Sequence, residues 1–167
     1  MSRLSREDEA RLVEYSRKAA QSLTRFEAAK ARLREREKKN EATRRYRLGL
    51  VLESFLFDEP ALLARIEELV RMESARVRAA FALDQSPSWF EQPVRDDPKK
   101  VVETRRARLG MLLERLPADA ALASRLETLM REQSPHVQAA FRIDGEERSW
   151  FQERAAARAG GGRDGRE

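Results

Sequence analysis

A single motif, Thr-Arg-Arg-x-Arg-Leu-Gly, occurs twice in this chain of 167 residues. Thr43-Arg44-Arg45-Tyr46-Arg47-Leu48-Gly49 and Thr104-Arg105-Arg106-Ala107-Arg108-Leu109-Gly110 are separated by an offset of 61 residues. The likeness does not stop there. Leu52-Glu53 continues as Leu113-Glu114, and after a one-residue deletion near Pro117 the offset becomes 60. Leu62, Arg65, Glu67, Leu69 and Arg71 then align with Leu122, Arg125, Glu127, Leu129 and Arg131. Ser74, Val77 and Ala79-Ala80-Phe81 align with Ser134, Val137 and Ala139-Ala140-Phe141, and after a one-residue insertion that restores the offset of 61, Ser88-Trp89-Phe90 aligns with Ser149-Trp150-Phe151. A match this dense over a whole unit reads as an internal duplication, and it restricts the chain to folds that can be built from two like pieces.

Each piece reads as three helices. Leu48, Val51, Leu52 and Phe55 fall on one face of the first. Leu62, Leu63, Ile66, Leu69 and Val70 mark the second, and Val77, Ala80 and Phe81 a short third. Asp58-Glu59-Pro60 and Leu116-Pro117-Ala118-Asp119 break the first helix from the second. Ser74 and Ser134 stand at N-cap positions, with Pro135 suited to the first helical turn. The pairs Trp89-Phe90 and Trp150-Phe151 are expected to close each unit as lids on its core. A unit of about 48 residues is too small to bury a robust core alone, so the two copies are expected to pack together, or the protein to dimerise.

Residues 6–40 contain no Pro and no Gly. Their apolar positions Leu12, Ala19, Leu23, Phe26 and Leu33 recur at helical spacing but make only a thin stripe, suited to weak coiled-coil pairing or to lying against the rest of the chain. Ser5 and Asp8 form a variant of the capping box at its start. The expected fold is therefore all-α: an extended N-terminal helical arm (1–42), helical repeat 1 (43–91), a linker (92–103), helical repeat 2 (104–153) and a disordered tail (154–167).

The net charge is +5, and its source is local. Residues 30–48 hold nine Lys and Arg against three acids, while the remainder of the chain is close to neutral. Such a stretch is either a solvated helix face or touches an anionic partner. Arg44 and Arg45 precede the apolar face of the first helix. Side chains on a helix lean toward its N-terminus, so these two, like Arg105 and Arg106, are expected to point away from the core. Guanidinium groups match phosphate geometry. The candidate nucleic-acid contacts are thus Arg44, Arg45, Arg47, Arg105, Arg106 and Arg108, with Lys38 and Lys39. The competing reading is a solvated helix start paired with nearby Glu. Gly49 and Gly110 lie inside helices, where Gly costs about 1 kcal/mol relative to Ala. Their recurrence points to a close helix–helix contact.

Other chemistry is sparse. The chain has no cysteine, and its one histidine, His136, aligns with Arg76, which argues for an exposed, non-catalytic position. No phosphate loop, dinucleotide fingerprint, zinc spacing or EF-hand is present, so neither an enzyme nor a cofactor is expected. No apolar stretch nears the length of about 18 residues that spans a bilayer. Residues 1–9 lack the apolar region of a secretory signal, so a cytoplasmic protein with no membrane partner is expected.

The basic helix leading into Thr43-Arg44-Arg45-Tyr46-Arg47-Leu48-Gly49-Leu50-Val51-Leu52-Glu53 resembles plasmid mobilization accessory proteins, the small TraD-like and MobC-like relaxosome components. The resemblance covers residues 20–56, with an echo at 104–114. It implies a non-enzymatic helper that binds DNA at a transfer origin and assists a relaxase, using Arg44, Arg45 and Arg47 with Arg105, Arg106 and Arg108 as a second set. The alternative is a helical interaction or scaffold protein with no nucleic-acid role, in which the arm dimerises or binds a partner helix.

Overall fold

The structure, a computed structural model, describes residues 5–116, 120–143, 145 and 147–160. All regular structure among them is helical. The chain divides into two units, residues 1–39 and 40–167. Among the described residues no helix is long and apolar enough to cross a membrane.

Helix α1 (Arg6–Phe55) contributes to both units. In the first unit it starts at Ser5, whose Oγ accepts the N–H of Asp8 at 3.2 Å and donates to the Asp8 carboxylate at 2.8 Å. This satisfies one of the helix's free amides, as the serine three residues ahead of an acid predicts. With no Gly or Pro to interrupt it, the helix carries on, and every residue from Glu9 to Lys39 is exposed. Leu12, Leu23, Phe26 and Leu33 are among those left in contact with solvent.

The second unit begins within α1. That helix ends at Phe55, a single 3₁₀ turn follows (Leu56–Asp58), and Pro60 opens α2 (Pro60–Arg71) at the position where a missing N–H costs nothing. The short α3 spans Ala75–Ala80. Helix α4 (Lys99–Arg115) packs against α2 and α3, and α5 (Ala120–Arg131) packs against α6 (Pro135–Phe141) and α7 (Trp150–Gly160). The core is one continuous cluster running from Leu48, Leu52 and Ile66 through Trp89 to Leu109, Leu126, Met130 and Phe141.

Two boundaries differ from the sequence expectation. Residues 99–103, assigned to a linker, form the first turn of α4, because Val101 and Val102 follow Pro98 with no breaker before Thr104. Residues 154–160, assigned to a disordered tail, continue α7. Ser149 starts that helix with a full capping box: its N–H donates to Gln152 Oε1 and its Oγ accepts the Gln152 N–H, each at 3.3 Å. Ser88 makes the related bond to Glu91 Oε2 at 2.8 Å, but Pro93 then prevents a helix. The break at Pro117–Asp119 and the tail from Gly161 lie outside the described residues.

The short helices end alike. Beyond α3, the N–H groups of Ala82 and Leu83 donate to the carbonyls of Ala79 and Arg78 at 3.0 and 3.1 Å. Beyond α6, those of Arg142 and Ile143 donate to Ala139 and Gln138, each at 3.2 Å. These are Schellman closures, and they require a left-handed residue at the turn. Ala82 (φ 48°) and Arg142 (φ 54°) fill that place without a glycine.

Candidate nucleic-acid interface

The arginines of the duplicated motif occupy the second unit, where they are turned inward. This overturns the expectation that Arg44, Arg45, Arg105 and Arg106 reach away from the core. The first helix of each half lies against the other half, so the face preceding Leu48 or Leu109 is covered by structure that a projection of one helix cannot see.

Helices α1 and α4 meet at the two glycines. A Cβ on Gly49 would fall 1.8 Å from the backbone oxygen of Arg106, and one on Gly110 would fall 1.9 Å from that of Arg45. Only a residue without a side chain allows two backbones this close. From this crossing each second arginine reaches a glutamate of the opposite helix. Arg106 Nε donates to Glu53 Oε2 at 2.6 Å, and Arg45 Nε lies 3.4 Å from Glu114 Oε2. Tyr46 adds its hydroxyl to Arg106 at 3.1 Å, and Glu41 adds a carboxylate to Arg45 at 2.6 Å. Burial opposes the charge on Arg106, but the bonds from Glu53 and Tyr46 outweigh it and hold its pKa above the ordinary arginine value.

Each first arginine reaches the end of the opposite short helix. Arg105 Nη1 donates to the carbonyl of Ala80 in α3 at 3.1 Å, and Arg44 Nη1 to that of Ala140 in α6 at 3.3 Å. A cation there satisfies a terminal carbonyl and suits the negative end of a helix. Arg105 is 3% exposed, and it also donates to Asp97 Oδ2 at 2.8 Å and lies 5.0 Å from the centre of the Trp89 ring. A buried guanidinium persists because a carboxylate, a carbonyl and an aromatic face meet it. Arg44 is half-buried, with no described carboxylate paired to it. Burial is the largest influence on its pKa and lowers it, against the opposing pull of Glu41 and Glu114.

The remaining candidates sit differently. Arg47 and Arg108 are half-buried and pair with no described carboxylate. Arg47 lies 6.0 Å from the Tyr46 ring centre, and Arg108 contacts Met111 Sδ at 3.4 Å. Lys38 and Lys39 belong to the first unit. They are exposed and unpaired among the described residues, as are Lys30, Arg32, Arg34 and Arg36. Lys30, Arg34 and Lys38 repeat every four residues and share one side of α1, with about 6 Å of rise between successive charges. Lys30, Arg32, Arg34 and Arg36 lie outside the repeated motif, and their only signal in the sequence is the local excess of positive charge. His136 is exposed. No group of three or more His, Asp and Glu among the described residues could hold a metal ion.

Against models of known protein families, curated proteins and solved structures, the chain finds no match.

Proposed function

We propose that this chain is a non-enzymatic DNA-binding accessory protein of the plasmid mobilization type, a cytoplasmic helper that assists a relaxase at a transfer origin. Its DNA contacts are assigned to the arm segment from Lys30 to Lys39, not to the duplicated arginines. The observation that carries this reading is that six cations within ten residues are exposed and meet no carboxylate among the described residues. A helix face in that state attracts phosphate, and the free energy comes from displaced counterions. Of the arginines before Leu48 and Leu109, Arg45, Arg105 and Arg106 are already paired with carboxylates within the protein and serve the packing of two homologous three-helix repeats.

Binding of a fluorescent DNA duplex, followed by anisotropy across a salt series, tests the assignment. Lys30→Gln with Arg34→Gln and Lys38→Gln removes three cations, so the slope of log affinity against log salt should shrink by about 3. Unchanged binding by this variant, or no binding of the parent protein at low salt, defeats the reading.

A second reading rests on the exposed Leu12, Leu23, Phe26 and Leu33. Here the arm is a coiled-coil segment that forms a homodimer, and the protein is a scaffold without a nucleic-acid role. It requires a dimer in sedimentation that Leu23→Asp with Phe26→Asp dissociates, together with a flat DNA titration.

A further inference from the structure

Arg44 and Arg105 hold equivalent places but have unequal partners. Both donate to the last carbonyls of a short helix, and both leave a buried Nε without a hydrogen-bond partner. At Arg105 the extended segment before α4 supplies the carboxylate of Asp97 to the same Nη1 that holds the Ala80 carbonyl. Pro98 follows Asp97 and fixes the backbone as it enters α4. Sixty-one residues before Asp97 stands Arg36, a cation, so the first half of the chain encodes no counterpart. The two carboxylates whose fields reach Arg44 are Glu41 and Glu114, and Arg45 is bonded to both. Arg142 adds repulsion from α6's end, although Glu153 pairs with it. Arg44 therefore makes one hydrogen bond among the described residues, and the residue is half-buried where Arg105 is buried.

We propose that Arg44, beside the Ala140 carbonyl, is a docking point for a side-chain carboxylate on an extended acidic segment of a partner protein, seated there as Asp97 is seated on Arg105. The occupant follows from the fold itself, which displays the same arginine and carbonyl already filled by an aspartate from extended chain. Charge selects a carboxylate over a phosphate group. Glu41 and Glu114 lie close by, and their repulsion weighs more on a phosphate near two negative charges than on a carboxylate with one. Arginine is also the side chain best shaped to hold a carboxylate by more than one N–H. This inference is independent of DNA binding by the arm.

The probe is the acetylated, amidated peptide Val-Arg-Asp-Asp-Pro, the sequence of residues 94–98, added to the full chain and followed by backbone and arginine side-chain NMR. Saturable shifts centred on Arg44 and Ala140 are expected. Replacing the second Asp of the peptide by Asn should weaken binding at least tenfold, and this comparison leaves the protein untouched. Arg44→Gln should do the same while its amide spectrum stays dispersed, and Arg65→Gln, on the exposed face of α2, should leave the peptide titration unchanged. Three results overturn the proposal: no saturable shift at millimolar peptide, equal binding by the Asn peptide, or tighter binding of inorganic phosphate than of the peptide at Arg44.

Discussion

Gly49 faces the backbone carbonyl of Arg106 so closely that a methyl group in place of its hydrogen would lie 1.8 Å from the oxygen. Gly110 stands in the same relation to Arg45, at 1.9 Å. The atom in the way is backbone in both cases, so rotating a side chain cannot relieve the clash. The α1–α4 crossing must open for either glycine to become alanine. Overpacking of this kind costs about 1–3 kcal/mol, occasionally more. Gly49→Ala and Gly110→Ala should each lie at or above the upper end in urea denaturation. One opening relieves part of both clashes, so the double variant should cost less than the sum. A loss below about 1 kcal/mol in either single variant would contradict this contact.

Opening that crossing would also pull apart Arg106 and Glu53. The pair is 27% and 19% exposed, so its attraction is only partly screened. Arg106→Glu sets two carboxylates against each other and should destabilise the protein, as should Glu53→Arg. The double exchange restores opposite charges, with a coupling of about 1–3 kcal/mol in a double-mutant cycle. Strict additivity would mean the two groups do not interact. The same logic limits DNA experiments: Arg45→Glu or Arg106→Glu should lower DNA affinity only as far as it unfolds the protein.

Much of this was legible in the sequence and some of it was not, for identifiable reasons. The 3.6-residue spacing of Leu48, Val51, Leu52 and Phe55 records a buried face because local geometry alone decides it. A glycine repeated inside two helices is costly unless something needs the space, so Gly49 and Gly110 announced a close approach without naming what approaches. The destinations of Arg44 and Arg105 could not be read, since Ala140 and Ala80 lie 96 and 25 residues away in sequence. A rule that charge begins where core ends also fails at Arg105, which is held in the core by Asp97 and the Ala80 carbonyl. The turns at Ala82 and Arg142 gave no signal, because the usual glycine is missing from both.

Arg105 and Arg44 should differ in what their loss costs. Arg105→Gln leaves the Asp97 carboxylate facing a site from which its charge partner has gone, and the Trp89 ring loses its cation. Breaking a buried pair in this way costs about 3–5 kcal/mol. Arg44→Gln removes one hydrogen bond to a carbonyl, worth about 1 kcal/mol. Thermal unfolding of the two variants side by side checks the order. A larger loss at Arg44 would mean that its half of the structure carries the tighter contact.

The two tryptophans provide a measurement that needs no ligand. Trp89 is fully buried, with the rings of Phe57, Phe81 and Phe90 at 5.1, 5.5 and 5.3 Å and Arg105 above it. Trp150 meets Phe141 and Phe151 at similar distances but remains half-exposed, covered on one face by Arg154 at 4.9 Å. In Trp150→Phe the remaining indole is Trp89, so emission should lie at short wavelength and resist acrylamide. In Trp89→Phe the emission should move to longer wavelength and quench several-fold more steeply. The second substitution also removes an indole N–H that has no hydrogen-bond partner, which offsets part of the lost packing. Its cost should therefore fall below the roughly 3–5 kcal/mol of a Trp→Ala change in a core. Equal quenching of the two variants would show that the two Trp-Phe lids are buried alike, contrary to the asymmetry that begins at Asp97.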